Sequence, residues 1–112
     1  MAIDSSNSSS PAVAGRIRHV VLFRRKPDVP KNEALEKSLA DRMTALGAQI
    51  PAIRAWLVAA NELVRPISWD YVLESEVDDA KALDAYLFHP LHQALIADLK
   101  PYFEWAAVDY TT

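Results

Sequence analysis

The sequence predicts a single α+β domain with elements in the order β-α-β-β-α-β, an expectation carried by three observations. Ile17 to Lys26 is β-branched and aromatic in its middle with charges outside, as a strand buried on both faces at its centre would be. Leu35, Leu39, Met43, Leu46 and Ile50 recur at spacings of three and four, which places them on one helical stripe. A second stripe, Leu83, Leu87, Leu91, Leu95 and Leu99, is interrupted by Pro90, so the second helix is expected to break in its middle.

In chain order, residues 1–15 carry one acid, no basic residue and a run of Ser and Asn ending at Pro11, which reads as a disordered tail before a domain spanning 16–112. After the first strand, Pro30 offers a preset first helical turn, and the helix is expected to end near Gly47 to Pro51. Ile53 to Ala60 is short and apolar and reads as a strand. Asn61 to Ser68, polar and holding Pro66, reads as a turn, and a third strand runs from about Trp69 to Val77. Asp78 and Asp79 are good helix starters. Pro90 disfavours helical geometry at His89 and suits the first turn of a new helix, so His89 is expected at a kink with a fresh N-terminus behind it. Ala107 to Tyr110 is the expected last strand.

That order fits a ferredoxin-like sheet with both helices on one face and the first and third strands antiparallel at its centre. The other face is left bare. Val20 and Leu22 would point to it, opposite His19, Val21 and Phe23, and a second copy is the simplest cover. Arg18 and Arg24 would share that bare face with Asp70, Glu74 and Glu76 of the third strand, in cross-strand ion pairs.

Composition narrows the function classes. At 112 residues and 51% apolar the chain can build one core, not two. Twelve Lys and Arg against 15 Asp and Glu give a net charge of −3 without blocks of one sign, so no footprint for nucleic acid is present. No stretch reaches the roughly 20 apolar residues of a membrane span, nor does a secretory signal appear. With no cysteine as well, the chain is expected to be soluble and cytoplasmic, and free of disulfides, thiolate nucleophiles and cysteine-bound metals. Two glycines cannot assemble a nucleotide cradle, and the three histidines lack a familiar metal-ligand spacing; neither cofactor nor metal is expected.

The informative stretch is Tyr86-Leu87-Phe88-His89-Pro90-Leu91-His92, a phenol and two imidazoles around a helix break. If His19 points to the helix-covered face it can meet Tyr86 and His92 across one cavity. Histidine exchanges protons near neutrality and a buried tyrosine can hold a carbonyl oxygen, so together they can enolise a carbonyl compound. The alternative is that Tyr86 and His92 are hydrogen-bonded core residues fastening the kinked helix, His19 a satisfied buried polar group and His89 a cap. Trp56, Trp69, Phe103 and Trp105 read as core or dimer contacts.

With these residues in view, the chain resembles the stress-responsive A/B barrel proteins, also called dimeric α/β-barrel or Dabb domains. The resemblance covers about Ile17 to Tyr110. It rests on Ile17-Arg18-His19-Val20-Val21-Leu22-Phe23, Gln49-Ile50-Pro51-Ala52-Ile53, Asp70-Tyr71, the Tyr86 to His92 segment and Val108-Asp109-Tyr110. It implies a homodimer and a cofactor-free site for a small apolar carbonyl or polyketide-like ligand, since the family includes plant stress proteins and olivetolic acid cyclase. In that cyclase a tyrosine positions the substrate and the last histidine of the Tyr-x-x-His-Pro-x-His segment is the general base, with a strand histidine nearby. By resemblance these roles fall on Tyr86, His92 and His19. A cyclase, lyase or isomerase is one implied function; a non-catalytic protein of stress stability, assembly or ligand carriage is the other.

Overall fold

The computed structural model describes residues 15–112; the tail expected at the N-terminus lies outside the described residues apart from Gly15, whose amide donates to the Thr112 carbonyl at 2.6 Å. The elements are β1 (Ile17–Arg25), α1 (Glu33–Gln49), β2 (Ile53–Ala60), β3 (Tyr71–Val77), α2 (Ala80–Leu87), α3 (Pro90–Leu99) and β4 (Phe103–Thr111). The four strands form one antiparallel sheet in the order β2-β3-β1-β4, the ferredoxin-like arrangement with β1 and β3 central.

Because paired residues of antiparallel strands point to the same face, the register assigns both surfaces. His19 pairs with Ser75 and Asp109, Val21 with Leu73 and Ala107, and Phe23 with Tyr71 and Trp105; all face the helices. A bulge between Ile53 and Ala55 lets β2 present both Ile53 and Trp56 to that same layer. The core joins this face to Leu39, Met43, Leu46 and Ile50 of the α1 stripe and to Tyr86, Leu95 and Leu99 of the later helices. Arg25 fastens α1 to the sheet through paired bonds of 2.5 and 2.7 Å to buried Glu36, which also accepts from the Tyr71 hydroxyl at 3.0 Å. The Arg25 guanidinium holds the Glu36 carboxyl below the usual range, while burial, reinforced by Glu36, pushes the Tyr71 phenol up to about 12.

Several expectations need correction. Pro30 does not open the first helix: Asn32 does, as an extended N-cap whose side chain accepts from the Leu35 amide at 3.1 Å. The last strand begins at Phe103, four residues before the expected Ala107, so Phe103 and Trp105 lie within it. The second apolar stripe does not continue through Pro90, since a break resets the helical phase and Leu91 turns outward. On the helix-free face Arg18 does pair with Glu76, at 3.2 Å, but Arg24 pairs with Glu104 of β4, and Asp70 accepts from the Arg25 backbone amide instead. A central strand has two neighbours, and the carboxylate on the other side was the nearer one. No helix among the described residues is long and apolar enough to cross a membrane.

Candidate functional site

The site begins with a missing amide. In an unbroken helix the residue-90 N–H would bond Tyr86 and the residue-91 N–H would bond Leu87; proline has no N–H, and the Leu91 amide is instead taken by the His89 imidazole at 3.1 Å. His89 is therefore the N-cap of α3, the role its place at the kink predicted. Leu87 is left with a free carbonyl, which accepts from His92 Nδ1 at 2.7 Å and from the Gln93 amide group at 2.6 Å. A carbonyl can only accept, so the His92 proton sits on Nδ1 and Nε2 keeps the lone pair. Burial holds this imidazole below the usual histidine range, more than the Leu87 carbonyl opposes, and His19 and His89 add to the effect.

Tyr86, in the last turn of α2, is fully buried between three rings. Its centroid lies 4.8 Å from His92, 5.6 Å from His19 and 5.6 Å from Trp56, each edge-on. Among the described residues its buried hydroxyl has no partner of good hydrogen-bond geometry; the Ser75 hydroxyl, which donates to the His19 carbonyl at 3.3 Å, lies near enough to stabilise the phenolate weakly. Burial pushes the phenol pKa well up, so it is a neutral donor. The three expected residues, His19, Tyr86 and His92, thus line one cavity of about 260 Å³. The rest of its wall is almost wholly apolar, drawn from β1, α1, β3, α2, α3 and β4, with Trp105 among the lining residues rather than only in the core.

The residue that sequence reasoning missed is Asp109. The β1–β4 register sets it beside His19, and its carboxylate meets His19 Nδ1 in a close charge-assisted contact at the cavity wall. That fixes the His19 proton on Nδ1 and leaves Nε2 open, mirroring His92. The available signal was the alternation of Trp105, Ala107 and Asp109 along one strand face. Among the described residues no group of three or more acids and histidines is arranged to hold a metal ion.

The placement of Tyr86 depends on close contact further out. Trp56 lies flat on α1 at Gly47, its indole N–H donating to the Met43 carbonyl at 3.0 Å, and any Cβ at residue 47 would overlap the indole ring. Gly47→Ala should therefore cost a net of about 1–3 kcal/mol despite alanine's better helix propensity, and should shift tryptophan emission as the indole moves. Urea denaturation checks this, and a variant as stable as the parent would contradict it.

Comparison with known proteins is consistent over the whole described chain. The Stress responsive A/B Barrel Domain family matches residues 17–112. An uncharacterized protein of Streptomyces coelicolor is 42% identical over 94 residues, spanning 84% of this chain and 97% of that one. A dimeric protein of unknown function and ferredoxin-like fold from Bacteroides fragilis is 34% identical, with a TM-score of 0.77 over 88% of this chain and 97% of its own. The hydroxynitrile lyase of Passiflora edulis shares the fold, at a TM-score of 0.76 and 13% identity over 89% of this chain and 95% of its own. The chain belongs to the stress responsive A/B barrel family.

Proposed function

We propose that the protein is a homodimeric, cofactor-free enzyme that enolises a small apolar carbonyl compound by Tyr/His acid–base chemistry, as a cyclase, lyase or isomerase would. The observation that carries this reading is the meeting of a buried tyrosine hydroxyl without a good hydrogen-bond partner with two imidazoles of fixed tautomer in the wall of a cavity whose remaining lining, Asp109 apart, is apolar. Buried hydroxyls are ordinarily satisfied, and on this reading a ligand oxygen is the partner that completes the Tyr86 hydroxyl.

In the proposed reaction the substrate oxygen accepts from Tyr86. His92 Nε2 removes the proton from the adjacent carbon, and the electron pair of that C–H bond moves to the carbonyl oxygen as an enolate. The enolate then attacks a second carbonyl, expels a leaving group or takes a proton back at carbon, and these outcomes correspond to cyclase, lyase and isomerase. The proton that His92 takes up returns from its Nε2 to carbon or to the product oxygen, while His19, held by Asp109, presents Nε2 to the same cavity as a second acceptor. The hydroxynitrile lyase of Passiflora edulis shares the fold at 13% identity, a likeness of fold alone that leaves both reaction and substrate open.

The test monitors hydrogen exchange at carbon. In D₂O, a panel of small ketones and β-dicarbonyl compounds observed by NMR should show protein-dependent deuteration next to the carbonyl for at least one member. Binding without deuteration across the panel would support ligand carriage instead.

A further inference from the structure

Between β2 and β3, the loop 61–70 presents three large aliphatic side chains to water: Leu63 is 78% exposed, Val64 90% and Ile67 73%. The loop is braced from within. The Asn61 amide donates to the Asp70 carbonyl at 2.8 Å, closing its base; the Asn61 side-chain amide and the Ser68 hydroxyl both donate to the Leu63 carbonyl at 3.1 Å. The Arg65 amide donates to the Ser68 hydroxyl at 2.9 Å, and the Ser68 amide to the Arg65 carbonyl at 2.9 Å. The bonds of Asn61 and Ser68 thus brace the loop from within, and its three aliphatic groups stand in water beside the exposed Glu62 and Arg65.

A groove of about 500 Å³ lies under this loop, and its lining includes Leu22, Val72, Leu63, Ile67 and Trp69. Leu22 and Val72 are register partners on the helix-free sheet face, so the groove continues that face without a break. The Arg24 guanidinium, 4.4 Å from the Trp69 ring centroid, holds the indole in place.

We infer that the loop is a clasp that closes over a second copy of this chain, burying Leu63, Val64 and Ile67 against the partner subunit. The inference rests on the reading that the helix-free sheet face pairs two copies. Continuity with that face and the dimeric state of the 34% identical relative name the occupant. An anionic lipid surface fits less well, since the chain's net charge is −3 and the loop's Arg65 is offset by Glu62.

The test uses the full chain in sedimentation equilibrium with three variants. Leu22→Glu, which probes the sheet face, should give monomer or aggregate. Ile67→Asp and Leu63→Asp should stay folded by circular dichroism and weaken dimerisation about a hundredfold, because each change occurs twice in a symmetric interface. As the chain has no cysteine, Ile67→Cys can be alkylated alone and compared with Ala34→Cys on exposed α1. Residue 67 should react at least tenfold more slowly in the dimer and equally fast once diluted to monomer. If Leu22→Glu dissociates the dimer while the loop variants do not and residue 67 reacts as fast as residue 34, the clasp is wrong and the sheet-face reading stands. If Leu22→Glu leaves the dimer intact, the sheet-face reading fails and the clasp with it. Sedimentation of the wild type with phosphatidylcholine vesicles, abolished by Ile67→Asp without change in dimerisation, would assign the loop to a membrane and overturn the proposal.

Discussion

Tyr86→Phe should lower enolisation about a hundredfold to a thousandfold and at the same time make the protein more stable. The loss arises from removing the only hydroxyl placed to hold the developing oxyanion, an interaction worth this much in other sites. The gain arises because that hydroxyl is buried and unpartnered, and an unsatisfied buried donor costs about 1–3 kcal/mol. A tyrosine kept as a structural hydrogen-bonding residue would show the reverse, a loss of stability. His92→Ala should reduce turnover more, by about a hundredfold to ten-thousandfold, since it removes the base itself.

The pH profile separates this role from simple packing. Turnover needs neutral His92, whose pKa lies below the usual histidine value because of burial, so the acid limb should fall below about 6.5 in the parent. Stability should change in the same direction: as pH drops below about 6.5 the unfolded chain takes up a proton that folded His92 resists, and stability declines until the folded pKa is passed. Full turnover in both variants would remove the catalytic assignment.

Arg18→Met should destabilise the protein by about 3–5 kcal/mol, lowering the melting temperature by roughly 15 °C or more at fixed protein concentration. Arg18 and Glu76 are both almost fully enclosed on the helix-free face, at 3% and 1% side-chain exposure. Taking away the guanidinium leaves the Glu76 carboxylate, among the described residues, with the half-buried Arg16 at 3.3 Å, which is itself shared with Asp78. The pair is not an optimum, because Arg18 Nη2 is buried with no hydrogen-bond partner. Arg18→Met combined with Glu76→Leu should therefore recover most of the loss, a coupling that calorimetry of the two single variants and the double variant measures. A single variant within about 1 kcal/mol of the parent would show that solvent or the second copy already compensates Glu76.

What the sequence makes legible is whatever depends on neighbours along the chain. The break at Pro90, the cap at His89 and the crowding of Tyr86 and His92 around it are all contained in seven consecutive residues. The α1 stripe was equally readable, and its true start was available in Asn32, whose side chain caps three residues on; a proline two residues earlier was the louder signal. Asp109 was not recognisable as part of the site, because its partner lies 90 residues away and only the β1–β4 register joins them. The pairing of Arg24 with Glu104 was hidden for the same reason. Asn61 to Ser68 reads as a plain polar turn, since Pro66, Asn61 and Ser68 mark a turn whichever way its aliphatic residues point.

The Leu87 carbonyl gives the helix break a wider meaning. What selects the basic nitrogen of His92 is an acceptor that an intact helix would have consumed, so the protonation geometry of the site is written in the backbone and not in any side chain that touches a ligand. A substitution at residue 90 that restored one continuous helix would take that acceptor away and free the His92 ring to exchange its proton between nitrogens, with every cavity side chain unchanged.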